Sequence, residues 1–406
     1  MRRLEKQYLN YSFLSPPRIK ESVSPFEARR SSVLTNVTQR SATHLILVCL
    51  ALLAIGMVMI YSATAEMARL QSDDSSLFLR NHAIRVAIGL LLMFLCSRVD
   101  TKIWAQFSRA IMLCAIGLLI LVLVIGNGSV TRWLPLPFGL NFQPSEMARV
   151  ALVLYLADVL VRKENDLLEF RRGLLPRLIV VGLVLILIGA QPDLGTAIAI
   201  GCIAIAMLCI GGVHPLQLLC VLAVGGVGVF LSLHQSPYQM SRLTSFLDFY
   251  GHQGGLLEGN YQVNQSLIGM GNGGLIGVGL GNSIQKSQYL PELHTDFVFA
   301  IVGEELGLIG TLAVCSLFIW FAFLGLRIAN SAPTHHGFLL ASGLTAMVSI
   351  YAVINIGVVV GILPTTGLPL PFLSYGGSSL ILNLVGVGIL LGVARQSLSD
   401  KRLRPR

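Results

Sequence analysis

The sequence predicts an all-α membrane protein that crosses the bilayer ten times and carries one large extracytoplasmic loop between its seventh and eighth crossings. Three observations lead there. Of the 406 residues, 54% are hydrophobic and 12% charged, about half the charge of a soluble domain. The apolar residues fall in long runs separated by short polar joints, as repeated crossing requires. Ten crossings of about 20 residues need about 200 apolar positions, and 54% of 406 residues supplies them.

In chain order the expected spans are 45–62, 83–96, 107–125, 148–161, 178–190, 196–210, 216–233, 297–326, 338–363 and 380–394. Residues 1–41 carry Arg2, Arg3, Lys6, Arg18, Lys20, Arg29, Arg30 and Arg40 before any apolar run. That stretch is too long and too charged for the start of a signal peptide, and it reads as a flexible cytoplasmic tail. Residues 42–395 then form the membrane domain and 396–406 a second cytoplasmic tail. Orientation follows from Lys and Arg, which accumulate on cytoplasmic joints. With the N-terminus inside, 21 of the 29 fall on inner segments. Arg69, Arg80, Arg132, Arg242 and Lys286 fall on outer ones, and Arg85, Arg109 and Arg149 within spans. Both termini therefore read as cytoplasmic. The formal net charge of +9 then belongs to the cytoplasmic leaflet and not to a nucleic-acid footprint. The seven cysteines lie in apolar runs with no Cys-x-x-Cys pair, so they predict small packing residues and neither a disulfide framework nor a zinc site.

The connection 234–296 is the long one. Loops beyond about 15 residues are usually functional or disordered; this one is rich in Gly, Tyr and Leu and is expected to fold back onto the outer mouth of the bundle. Carboxylates gather on the same side: Glu146 in Gln143-Pro144-Ser145-Glu146, Asp193 in Gln191-Pro192-Asp193, and Asp296 at the head of the eighth span. Ionisable groups at membrane depth are functional candidates, but Glu146 and Asp193 equally suit helix caps, and Arg149 stands one turn from Glu146 as an ion-pair partner. Glu304 and Glu305 lie two turns inside their span, where a structural partner such as Arg85 or Arg109 stands as a reading beside catalysis. Asp296 is the sharper case. A loop delivers its carboxylate to the lip of an apolar wall, where partial burial favours the protonated form and suits the group to take a proton from a hydroxyl; the plain alternative is an N-cap.

Gly269-Met270-Gly271-Asn272-Gly273-Gly274 spells G-x-G-x-x-G, but no strand precedes it, so it predicts a turn of close backbone approach and no dinucleotide site. Gln265, Ser266, Gln285 and Lys286 lie nearby, with Arg80, Arg132 and Arg242 elsewhere on the outer side, and together they offer hydrogen bonds to sugars and charge for a phosphate. The string from Leu363 to Ser379 holds Pro364, Pro369, Pro371, Gly367, Gly376 and Gly377. Helix-breaking backbone at membrane depth must be buried or line a wet cavity, so this segment reads as a re-entrant wall of the outer site, with Ser378 capping the last span.

These strings resemble the SEDS family (shape, elongation, division and sporulation), the polytopic peptidoglycan glycosyltransferases of bacteria. The resemblance rests on Thr131-Arg132-Trp133, residues 143–146 and 191–196, Tyr261-Gln262, Gln265-Ser266-Leu267, residues 279–286 and 290–297, Glu304-Glu305-Leu306-Gly307 and residues 364–379, and spans about 42–395. Residues 279–293 resemble division members more than elongation members. The resemblance implies polymerisation of lipid II at the outer face of the membrane, with Asp296 as the catalytic base. It implies a diphosphate and sugar site drawn from Arg80, Arg132, Lys286, Gln265, Ser266, Gln285, His294, Ser374 and Tyr375. Glu146, Arg149, Asp193, Glu304 and Glu305 are expected in supporting roles. No protein metal cage is expected; a divalent cation, Mg²⁺ or Mn²⁺, would lean on the diphosphate oxygens, and no organic cofactor is expected. The implied partners are lipid II, a class B penicillin-binding protein that supplies crosslinking, and other divisome membrane proteins. The chain departs from the family pattern at Arg149, Asn260 and Phe249, where Lys, Gly and Pro are usual. Two other classes stay open: a flippase for lipid-linked precursors, suggested by intramembrane charge and the broken last joint, and a non-enzymatic scaffold. An elongation or sporulation paralogue is the alternative within the family.

Overall fold

The computed structural model describes residues 25–72, 76–125, 132–136, 140–162, 174–250, 258–285 and 295–403. These are almost wholly helical: α1 (Pro25–Ser72), α2 (Leu77–Arg98), α3 (Thr101–Ile125), α4 (Pro144–Arg162), α5 (Leu175–Gly189), α6 (Leu194–Ile210), α7 (Pro215–Gln235), α8 (Pro237–Tyr250), α9 (Glu258–Gly273), α10 (Val298–Asn330), α11 (His335–Val359) and α12 (Gly377–Leu403). Each of the ten expected spans falls on a helix. Among the described residues seven helices are long and apolar enough to cross a membrane, and α5 and α6 are shorter apolar helices; α4 carries Glu146, Arg149, Asp158 and Arg162. Strands β1 (Leu134–Leu136) and β2 (Leu140–Phe142) pair antiparallel, with Leu134 opposite Phe142, and lead into α4.

Three expectations need correction here. Helix α1 begins at Pro25, a residue suited to a first helical turn, and Thr38 and Ser41 are already buried, so the packed chain starts earlier than residue 42. The described residues of the connection 234–296 include two helices, α8 and α9, which the sequence reading did not place, and α9 packs on α10 and α11. Of the cysteines only Cys49 is buried; Cys114, Cys202, Cys209 and Cys220 are exposed on the outside of the bundle.

The core sits in α4, α11 and α12. Helix α4 buries nearly every residue from Pro144 to Leu160, and α12 packs along α2, while α7 at the rim buries nothing. Joints from both halves of the chain converge at the end where α10 begins and α11 ends. There the segment 360–376 lies across the bundle, its backbone pressed so close to Gly56 and Gly195 that a side chain at either would strike it.

Helix α10 is broken at Gly307 (φ 66, ψ −162). The break frees backbone groups, and the segment after α9 satisfies them: Val278 and Gly279 N–H donate to the Glu304 and Glu305 carbonyls at 2.9 and 3.1 Å, and Leu308 and Ile309 N–H donate to Gly274 and Leu275 at 2.9 and 3.2 Å. A Cβ at Gly307 would sit 2.4 Å from Gly277 N, and left-handed backbone costs a non-glycine residue about 1–2 kcal/mol besides. Gly307→Ala is therefore expected to destabilise the protein by at least about 1–2 kcal/mol, read as a lower thermal midpoint in detergent.

Candidate active site

Asp296 stands two residues before α10, on the lip the sequence assigns it. It does not cap that helix, whose N-cap is Phe297. Its placement is set by Asn355 on α11: the Nδ2 group, 1% exposed as a residue, donates to the Asp296 and Leu368 carbonyls, each at 2.7 Å. One amide thus ties the α10 lip to the 360–376 segment. The Asp296 carboxylate faces Gly367, whose Cβ, if present, would lie 3.6 Å from Oδ2.

A cleft opens at this point, lined by Asp296, Arg242, Gln262, Asn355 and residues 365–368. It encloses about 60 Å³, room for a few waters or one reacting group. The cation in this wall is Arg242 from α8. Its Nη1 donates to the Thr365 carbonyl at 3.3 Å, and its guanidinium stacks 4.6 Å over the Tyr238 ring. Gln262 comes from α9. A carboxylate, a guanidinium and two amide side chains therefore meet beside a proline- and glycine-rich wall. That set can take a proton from a hydroxyl and stabilise a departing anion.

The other sequence-predicted residues divide. Lys286 and His294 lie outside the described residues. Arg80 is exposed in the first turn of α2. Arg132 is engaged elsewhere: it donates to the Gln191 carbonyl at 3.1 Å and to the Pro192 carbonyl, and lies 3.7 Å from the Asp193 carboxylate. Asp193 caps α6 by accepting from Thr196 N–H at 3.4 Å, and Gln143 Nε2 donates to it at 3.2 Å, so the two Gln-Pro strings meet. Ser266 Oγ donates to the Val359 carbonyl at 2.8 Å and seats α9 on α11; Gln265 lies beside it, half-buried. Ser374 Oγ accepts from Leu370 N–H at 2.8 Å and shapes the turn. Tyr375 packs against α2 under Arg85.

The supporting carboxylates have specific partners. Glu146 pairs with Arg149 at 2.6 Å as the sequence predicts. Glu304 and Glu305 do not pair with Arg85 or Arg109. Glu304 accepts from Ser283 Oγ and from Ile284 and Gln285 N–H at 3.0 and 3.4 Å, and Glu305 accepts from Ser62 Oγ at 2.5 Å. Both hold the post-α9 segment and α1 to the first half of α10, and Gln285, buried beside Glu304, belongs to that anchor. Ser283-x-x-Lys286 has the spacing of a transpeptidase nucleophile, yet Ser283 is 3% exposed with its hydroxyl given to Glu304. Ser378 does not cap α12; it lies inside that helix and accepts from Gln143 N–H at 3.3 Å. The residues 269–273 form the last turn of α9 and not a turn of loop, and Gly273 abuts the Gly303 carbonyl where only hydrogen fits. Sequence reasoning missed Asn355 and set Arg242 aside; no local motif marks either.

Comparison with known proteins agrees with this architecture. The family profile for FtsW, RodA and SpoVE, described as cell cycle protein, matches residues 43–399. Stage V sporulation protein E of Bacillus subtilis is 41% identical over 360 residues, 87% of this chain and 96% of that one. A probable peptidoglycan glycosyltransferase FtsW of Coxiella burnetii is also 41% identical, over 364 residues and the same shares. Among solved structures, one chain described under the structural coordination of polymerization and crosslinking by a peptidoglycan synthase complex superposes with a TM-score of 0.71 at 27% identity, covering 87% of this chain and 97% of that one. The rod shape determining protein RodA of Thermus thermophilus superposes at 0.63 and 27% identity, covering 87% and 96%.

Proposed function

Since the chain belongs to the FtsW/RodA/SpoVE family of cell cycle proteins, we propose that it is a peptidoglycan glycosyltransferase of the FtsW type, polymerising lipid II into glycan strands at the outer face of the bacterial cytoplasmic membrane. The observation that carries this reading is the cleft in which Asp296 and Arg242 share one wall. Asp296 takes the proton of the acceptor GlcNAc 4-hydroxyl as that oxygen attacks the anomeric carbon of the donor MurNAc. The bond to the lipid diphosphate breaks, the configuration inverts, and the diphosphate leaves with the electron pair. Arg242 meets the charge that develops on the leaving oxygens, the role the sequence assigned to Arg80, Arg132 and Lys286. Among the described residues no group of three or more His, Cys, Asp or Glu is placed to hold a metal ion, and no step here is routed through one.

In this reading all ten aligned helices cross the membrane, both termini are cytoplasmic, and α8 and α9 lie outside. The catalytic membrane domain is the helical bundle that begins before residue 42, where Thr38 is already buried, and runs to about residue 395. The partner is a class B penicillin-binding protein that crosslinks the new strand at the division septum, alongside other divisome membrane proteins; likeness to a chain of a peptidoglycan synthase complex supports this. The sporulation and division relatives are equally identical; residues 279–293 favour a division over an elongation role, and the further relatives named FtsW support the septal one. The test is polymerisation of labelled lipid II by the purified protein with its cognate transpeptidase. Glycan strands are expected. Vesicles that translocate lipid II but make no strands would replace this reading with the flippase.

A further inference from the structure

We propose a second anion site, formed by His82, Arg85 and the head of α12, that takes the phosphate-bearing head of a membrane lipid. His82 and Arg85 are neighbours on one face of α2, and both meet Tyr375. The His82 and Tyr375 ring centroids are 5.8 Å apart, and the Arg85 guanidinium carbon lies 4.6 Å over the same ring. His82 is 0% exposed, and among the described residues neither of its ring nitrogens has a hydrogen-bond partner. Arg85 Nε is likewise buried without a partner. A neutral imidazole still carries one N–H, and leaving such donors unmade at this depth is costly.

Helix α12 supplies the independent half of the site. Gly377 is its first residue; first-turn amides have no intrahelical acceptor, and the helix end carries about half a positive charge. A Cβ at Gly377 would lie 3.7 Å from Arg85 Nε and from the Asn141 carbonyl, ordinary contact distance, so the guanidinium lies directly against the head of α12. Two positive groups so placed in a low-dielectric wall repel. Glu146 touches Ser379 in the same first turn, but it is already paired with Arg149. An anion that approaches beside Arg85, His82 and the first turn of α12 satisfies all three.

Position identifies the anion as a lipid head. His82 and Arg85 lie about 8 and 12 Å along α2 from its start, near the boundary between headgroups and hydrocarbon. Below them Ile84, Ile88, Leu91 and Leu95 form an exposed apolar stripe, which a lipid chain can follow and a free phosphate cannot use. The phosphate comes either from a polyprenyl diphosphate, substrate or product, or from an anionic phospholipid. Only the first source rests on the function proposed above.

The test is native mass spectrometry of the full chain in phosphatidylcholine nanodiscs, titrated with undecaprenyl diphosphate and, separately, with phosphatidylglycerol. Arg85→Gln removes the charge. Gly377→Val fills the cradle and leaves every charge in place. Both are expected to weaken binding of the resident lipid by about ten- to a hundredfold. A loss confined to undecaprenyl diphosphate identifies substrate or product; a loss confined to phosphatidylglycerol identifies a phospholipid. Unchanged binding of both probes overturns the site. In wild-type protein, labelling of Arg85 by phenylglyoxal, read on its peptide, should fall in the presence of the bound lipid, and undiminished labelling also overturns the site whether or not the variants fold. Absence of polymer from wild-type protein would sink the enzymatic reading and leave these readouts intact.

Discussion

Asp296→Asn is expected to cut lipid II polymerisation by about 10²–10⁴-fold, the usual contribution of a general base, at unchanged folded yield. Asparagine keeps the shape of the side chain and loses its basicity. The contacts that set the lip survive, because Asn355 holds Asp296 through its backbone carbonyl. Asp296→Glu should retain a measurable fraction of activity: the base is kept, but one added methylene pushes its oxygens toward Gly367, already within 3.6 Å of a Cβ position there. Strand length and rate are read on gels with labelled lipid II, beside thermal unfolding and transpeptidase complex yield for each variant. Equal polymer from Asp296→Asn and wild type would remove Asp296 as the base and shift attention to the other polar side chains of the cleft.

The sequence made the spans legible because hydropathy and charge asymmetry are local properties, averaged over twenty residues. It also marked Asp296 as a candidate, because a long loop delivers its carboxylate to the mouth of an apolar run, although Glu146 and Asp193 stand at the mouths of others. The Glu146–Arg149 pair followed from helical spacing alone. What stayed hidden is what the chain assembles across long separations. Arg242 reaches Thr365, 123 positions on, and Asn355 reaches back 59 to Asp296; nothing in either neighbourhood distinguishes them from any other polar residue on a helix. Arg132 was misread for the opposite reason. Its local string suggested an outward cation, and only the fold shows it given to Asp193 and two carbonyls. Glu304 and Glu305 were assigned charged partners because a carboxylate in a span calls for one; the break at Gly307 instead brings backbone amides to Glu304, which hydrogen-bond a carboxylate without a second buried charge.

Arg149→Ala carries the largest expected cost in stability, about 3–5 kcal/mol, the usual result of removing one partner from a buried pair. The pair has no solvent to fall back on: Arg149 and Glu146 side chains are 0% and 1% exposed and 2.6 Å apart. The guanidinium also donates to Asn383 Oδ1 at 3.0 Å and lies 3.9 Å over the Tyr351 ring, so it joins α4 to α11 and α12 at the centre of the bundle. Alanine leaves Glu146 buried beside a void without its counter-charge. Arg149→Lys should lose much less, because it keeps the charge beside Glu146 and gives up only the planar stacking and the second hydrogen bond. The decisive measurement is a double-mutant cycle on detergent unfolding midpoints with Glu146→Gln and Arg149→Met, singly and combined. If the ion pair is the source of the cost, the double variant recovers a large part of what Arg149→Met loses, since the unpaired charge is gone. If the double variant is as unstable as the sum of the singles, the loss lies in packing against Tyr351, and the pair contributes little beyond filling space.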